Sequence, residues 1–281
     1  MLRSRRGFTL IELLVVIAVI ALLMGILMPS LQKARKLGQS AVCKAHLRQW
    51  GTVFFMYTTD NDDKFWIEPN VWQTSVRQGG WMPWLAGVYG NVDAFRLCPS
   101  ADKINGTSGG IGTTTKQWGP GPIMVNHQFE DDATKNYGSY GLNTWICSVG
   151  PSSPTGWRNA ADRQWKKLQS RYAAEIPMIS DCTWYCANPI SRNDKTENGA
   201  PWANGDSPPP TEDWWDRQDP INFNFWSYDT ARVCLDRHSK GVNMTFMDGS
   251  SRKVKLHDIW ILKWHTDSMP DYEVEIPWLR R

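Results

Sequence analysis

The chain has 281 residues, with 31 Lys and Arg against 28 Asp and Glu, six cysteines and 17 tryptophans. Three of the basic residues, Arg3, Arg5 and Arg6, lie before position 8, so beyond Gly7 the two signs balance. That excludes a general nucleic-acid surface, which needs a standing excess of positive charge. The length admits one sizeable domain or two small ones. The first predicted element is the apolar run from Phe8 to Met28, which holds a single charge, Glu12. As a helix this run measures about 31 Å, enough to cross a hydrocarbon core of about 30 Å. It exceeds the roughly 7–15-residue apolar core of a secretory signal peptide, and no Ala-x-Ala pattern follows it.

Arg6-Gly7-Phe8-Thr9-Leu10-Ile11-Glu12 resembles the processing site of type IV prepilins and type II secretion pseudopilins. The resemblance implies that prepilin peptidase cuts after Gly7 on the cytoplasmic side and that the new amine of Phe8 is N-methylated. It also implies that Glu12 neutralises this amine, on its own helix or on a neighbour in a filament. The physics agrees, because a buried amine needs a counter-charge and Glu12 lies one helical turn on. The implied location is a single pass through the inner membrane, N-terminus cytoplasmic and head extracytoplasmic, with release into a periplasmic or extracellular filament. The implied partners are the peptidase and other pilin-like subunits, in a homo- or hetero-filament.

Past the span, Pro29 removes one helical hydrogen bond and permits a kink. Leu31, Ala34, Ala41, Ala45, Trp50, Phe54 and Tyr57 then recur at near-helical spacing and predict a docking face for a head domain. No acid occurs between Glu12 and Asp60, whereas Lys33, Arg35, Lys36, Lys44 and Arg48 are basic. A basic stem beneath an acidic head suits subunits packed stem against head, and equally a helix beside lipid phosphates. The helix is expected to stop near Asp60-Asn61-Asp62-Asp63. Asp60, Asp62 and Asp63 are weak calcium candidates that lack the ligand spacing of an EF-hand. No other cofactor is expected.

In the head, Tyr137 to Cys147, Ile176 to Cys182, Gly241 to Met247 and Ser250 to His257 predict strands. Asn105 to Gly121 and Ala187 to Asp219 are long loops rich in Gly, Pro, Asn, Asp and Thr. Outside the cytoplasm, Cys43, Cys98, Cys147, Cys182, Cys186 and Cys234 are disulfide candidates, and six cysteines allow fifteen pairings. A zinc site competes, but there is no Cys-x-x-Cys pair and no clustered histidine. His238, nine residues, then Asp248-Gly249 resembles the His-x9-Asp-Gly motif of a large family of bacterial prepilin-like proteins. Cys43 to Leu47, Tyr57 to Asp63, Cys98-Pro99 and Tyr140-Gly141-Leu142-Asn143 match that family as well. An extended chain holds His238 and Asp248 about 20–30 Å apart, so both are expected to be structural: Asp248-Gly249 in a tight type I′ turn, His238 capping the strand's start.

The chain contains no Gly-x-Ser-x-Gly elbow, no His-Glu-x-x-His helix and no phosphate loop, and Asp181 beside Cys182 has no visible partner. An enzyme is not expected. The tryptophans, among them Trp81, Trp84, Trp118, Trp145, Trp157, Trp202, Trp214, Trp215 and Trp226, are expected to fill a thin core. Their alternatives are glycan-binding or subunit surfaces. The expected fold is α+β and type IV pilin-like: a long N-terminal helix on an antiparallel sheet with long loop insertions. Residues 1–7 form the leader, 8–28 the membrane and assembly helix, 29–60 the outer stem and 61–281 the head. The expected function is a structural filament subunit. The alternative is a membrane-anchored module whose Trp-rich loops bind polysaccharide or protein cargo.

Overall fold

A computed structural model describes residues 9–65, 67–68, 81–90, 95–104, 111–119, 137–146, 148–149, 164–168, 170–187, 232–233, 235–268 and 272. Gly7, Phe8, Cys147, Cys234, Trp157, Trp202, Trp214, Trp215 and Trp226 lie outside the described residues, as do residues 105–110, 120–121 and 188–219 of the two long loops.

Helix α1 spans Leu10–Thr59. It begins with a capping box: the Thr9 hydroxyl accepts the Glu12 N–H at 3.3 Å, and Glu12 Oε2 accepts the Thr9 N–H at 2.9 Å. Pro29 sits inside this helix without ending it. Just beyond it, the Ser30 hydroxyl donates to the Leu27 carbonyl at 2.8 Å. The helix stops at Asp60, after which Asp62 and Asp63 adopt left-handed backbone with φ of 56° and 58°. Asn61 seals the end by donating its side-chain amide to the Tyr57 carbonyl at 2.7 Å.

Every residue from Thr9 to Gly38 is exposed, and docking starts only at Gln39. The buried face is Cys43, Leu47, Trp50, Gly51, Val53, Phe54 and Thr58. This corrects the predicted face. Trp50 and Phe54 are buried and Tyr57 packs at the margin, but Leu31 and Ala34 precede the head, and Ala41 and Ala45 point away from it. Residues 43, 47, 50 and 54 follow the alternating four-and-three spacing that keeps one stripe turned to a partner.

Then come β1 (Ile67–Glu68), α2 (Trp81–Trp84), α3 (Ala86–Tyr89), β2 (Tyr140–Asn143), β3 (Ser148–Val149), β4 (Pro177–Asp181), β5 (Cys186–Ala187), β6 (Gly241–Phe246) and β7 (Ser251–Lys255). The main sheet has the order β5-β2-β4-β6-β7, and β1 pairs with β3 separately. All four predicted strands are present and pair antiparallel as β2-β4-β6-β7. The sheet is nevertheless mixed, because β5 joins β2 in parallel. Gly141 permits this crossing: a Cβ there would lie 2.6 Å from Cys182 Cβ and from the Trp184 carbonyl oxygen.

α1 packs on β6, β7 and β4. Side chains alternate along β6, and Asn243 and Thr245 meet the helix. Asn243 donates to the Ser40 carbonyl at 3.2 Å, and a Cβ on Gly51 would lie 2.8 Å from Thr245 Cγ2. Beside the helix, Trp50 sits among Trp81, Tyr89 and Phe95 with ring centroids 4.6, 4.9 and 4.7 Å away, all edge-on. Trp81, Trp118 and Trp145 are all core residues, as are Trp184, Trp260 and Trp264.

The β6–β7 connection differs from the predicted turn. Only Gly249 has positive φ (79°), and the Gly249 N–H reaches the Phe246 carbonyl at 2.9 Å. Met247, Asp248 and Gly249 therefore form a three-residue loop with glycine at the left-handed position, in place of a type I′ pair.

Candidate functional site

Among the described residues, two regions carry chemistry. The first is the bare half of α1. From Leu10 to Met28 it is apolar except for Glu12, and every residue of it is exposed, with no described part of the head against it. Glu12 Oε2 also accepts the Thr9 hydroxyl at 2.8 Å, so the helix holds its one acid in the first turn.

The second region lies beneath the stem and is built from four separate segments. Cys43 projects from α1. Cys98 sits in a turn, 95–101, that α1 pins three times. Gln39 Nε2 donates to the Pro99 carbonyl at 2.9 Å, and Trp50 Nε1 to the Phe95 carbonyl at 2.9 Å. His46 Nδ1 lies 3.0 Å from the Leu97 carbonyl. Asp181 ends β4. His238 precedes β6, in a segment where Ser239 and Lys240 take left-handed backbone with φ of 55° and 62°. Such strain in non-glycine residues persists only where the surroundings enforce it. The His238 N–H donates to the Gly241 carbonyl at 2.9 Å, so it is the backbone that closes the entry to β6. The imidazole turns inward instead of capping the strand.

All four side chains are buried, and their ligating atoms lie within 4.8 Å of one another. His238 Nε2 is 3.1 Å from Asp181 Oδ2 and 3.3 Å from Cys98 Sγ. Cys43 Sγ is 3.6 Å from Asp181 Oδ2. Asp181 thus has partners that its sequence neighbourhood did not reveal. Its Oδ2 accepts the Asn243 N–H at 2.8 Å, and its Oδ1 accepts Arg237 Nη1 at 3.1 Å. Arg237 spends its other donors on the carbonyls of Ser139, Thr113, Thr114 and Cys182.

Burial penalises every charge at this site. Against that penalty, His238, Arg237 and the Asn243 N–H hold the Asp181 carboxyl well below the usual carboxylate range. Asp181 and Cys98 raise His238 to about 9. Contacts with Cys43 and His238 and the Arg237 charge bring Cys98 down to about 7, while burial beside Cys98 and Asp181 pushes Cys43 far up.

Cysteine, histidine and aspartate invite comparison with a catalytic triad, but the geometry is different. A triad uses the two imidazole nitrogens in series. Here Cys98 and Asp181 both approach Nε2, while Nδ1 is buried with no hydrogen-bond partner among the described residues. The groups converge on one point and relay nothing outward.

The remaining predicted residues lie apart from this site. Asp248 is exposed and its Oδ1 accepts the Ser250 N–H at 2.9 Å, so it does not meet His238. Of the disulfide candidates, Cys182 carries a buried free thiol, as do Cys43 and Cys98 within the site. Asp60 caps α1, and exposed Asp62 pairs with Lys64 at 3.4 Å.

A long N-terminal helix on a mixed five-stranded sheet is an α+β, type IV pilin-like fold. Residues 2–28 match the family described as the prokaryotic N-terminal methylation motif. The chain is also similar to the type IV wide pilus major component PilA4 of Thermus thermophilus, with 46% identity over 61 residues, 22% of this chain. The alignment covers 47% of that relative, so the chain spans about half its length. No solved structure matches. A pilin-type methylation motif ahead of a bare apolar helix fits a membrane-anchored pilin.

Proposed function

We propose that the chain is a structural subunit of a type IV pilus or of a type II secretion-like pseudopilus. Prepilin peptidase cuts it after Gly7, Phe8 is methylated, and Glu12 accepts the Phe8 amine of a neighbouring subunit during assembly. Before assembly the helix spans the inner membrane with its N-terminus in the cytoplasm and its head outside. The subunit has no enzymatic role. One observation carries this reading: the helix is exposed from Thr9 to Gly38, apolar up to Met28, and holds a single acid at its start. Such a surface needs lipid or other helices to cover it.

The alternative of a Trp-lined binding module gains no support from Trp81, Trp118 and Trp145, which are spent on the core. The test is to isolate the protein from its own cells and sequence its N-terminus by mass spectrometry, then ask whether it appears in sheared filaments. Methylated Phe8 and filament incorporation are expected. An intact Met1 terminus, or a methylated chain retained wholly in the membrane, would overturn the reading.

A further inference from the structure

We propose that Cys43, Cys98, Asp181 and His238 bind one zinc-class divalent ion, locking the stem helix onto the head. Metal–sulfur bonds of about 2.3 Å and metal–nitrogen or –oxygen bonds of about 2.0–2.2 Å place the ligand atoms of a tetrahedral site roughly 3.3–3.8 Å apart. The side chains already stand near those separations: 3.6 Å from Cys43 Sγ to Asp181 Oδ2, 3.3 Å from Cys98 Sγ to His238 Nε2, and 3.1 Å from His238 Nε2 to Asp181 Oδ2. All four fall within 4.8 Å of one another, a compactness that a shared central ion requires.

The donor set selects the metal. Two sulfurs and an imidazole favour zinc over the hard cations calcium and magnesium. Charge closes as well. Two thiolates and a carboxylate bring three negative charges, which a divalent ion and the buried Arg237 guanidinium balance. Part of the outer shell is in place: Arg237 and the Asn243 N–H orient Asp181, and α1 fixes the Cys98 turn through Gln39, His46 and Trp50, whereas His238 Nδ1 has no acceptor among the described residues. A metal on Nε2 also sets the tautomer, leaving the proton on Nδ1.

The site joins α1, the 95–101 turn, β4 and the entry to β6, so the bound ion adds folding energy where the stem meets the head. It also gives His238 of the His-x9-Asp-Gly segment a task that Asp248 does not share.

The test uses the full-length protein, purified in detergent under reducing conditions. Elemental analysis is expected to find one zinc per chain. Cobalt(II) titrated into the metal-stripped protein is expected to develop thiolate-to-cobalt charge-transfer bands and the intense visible absorption of a tetrahedral ion. Cys98→Ser and His238→Gln each lower cobalt affinity by more than the roughly 10–100-fold typical of losing an outer-shell partner. Asp62→Asn, in the exposed acidic turn, changes nothing. Should the ligand variants not fold, alkylation of the wild-type protein decides: Cys43 and Cys98 become reactive only after a chelator is added. A metal-free wild-type protein with a featureless cobalt titration, or a Cys43–Cys98 disulfide peptide in protein taken from cells, overturns the proposal.

Discussion

Gly249 holds φ at 79° in the loop between β6 and β7, and a Cβ there would lie 3.5 Å from Phe55 of the stem. Space is available, but the backbone conformation resists any other residue, and a β-branched one most of all. Gly249→Val is expected to destabilise the head by about 1–3 kcal/mol, read as a lower denaturation midpoint with an unchanged slope. At the other end of the chain, Glu12 and Thr9 can be separated. Glu12→Ala leaves membrane insertion intact and prevents incorporation into filaments, because the Phe8 amine loses its counter-charge. Thr9→Ala removes only the cap contacts at 2.8 and 3.3 Å and leaves Glu12 free for that amine. Co-sedimentation with sheared filaments distinguishes the two, and normal incorporation of the Glu12→Ala chain would sink the assigned role.

At the scale of elements, α1 and β6 approach each other closely. A Cβ on Gly51 would sit 2.8 Å from Thr245 Cγ2, a short branch with little room to retreat. Gly51→Ala is therefore expected to cost about 1–3 kcal/mol through overpacking. Thr245→Ser, which deletes that methyl and keeps the hydroxyl near Ser251, is expected to restore much of the loss in the double variant. A thermal-melt cycle over the four proteins measures the coupling. Equal losses in the single and double variants would mean the helix shifts away freely.

Much of this element layer was legible in the sequence. The span, the helix stop at Asp60 and the four antiparallel strands follow from apolar runs, an acidic terminus and alternation. The docking face was legible only in part: Trp50, Phe54 and Tyr57 were, but small alanines on the exposed side mimic an apolar stripe, while Cys43, Leu47 and Gly51 share the contact. β5 has two residues, too short for any periodic signal. The buried cluster was least legible of all: 138 residues separate Cys43 from Asp181 and 140 separate Cys98 from His238. Its ligands sit on four segments, so no spacing rule finds them. The nearest signal was that Cys43, Cys98 and His238 each fell inside one of the motifs matched along the chain.

Across the whole molecule, the head grips only the far end of a helix whose exposed part, Thr9 to Gly38, runs roughly 45 Å. A filament built from such subunits would bear traction along its axis. Tension entering through the bare rod passes into the head where α1 is held: on β6 at Ser40, and at Gln39, His46 and Trp50, whose bonds reach the 95–101 turn. Pulling loads these pins in parallel, as shear, so they yield together, whereas peeling the rod sideways would break them one after another. The subunit is thereby built to resist being drawn out lengthwise and to give way first under a bending moment.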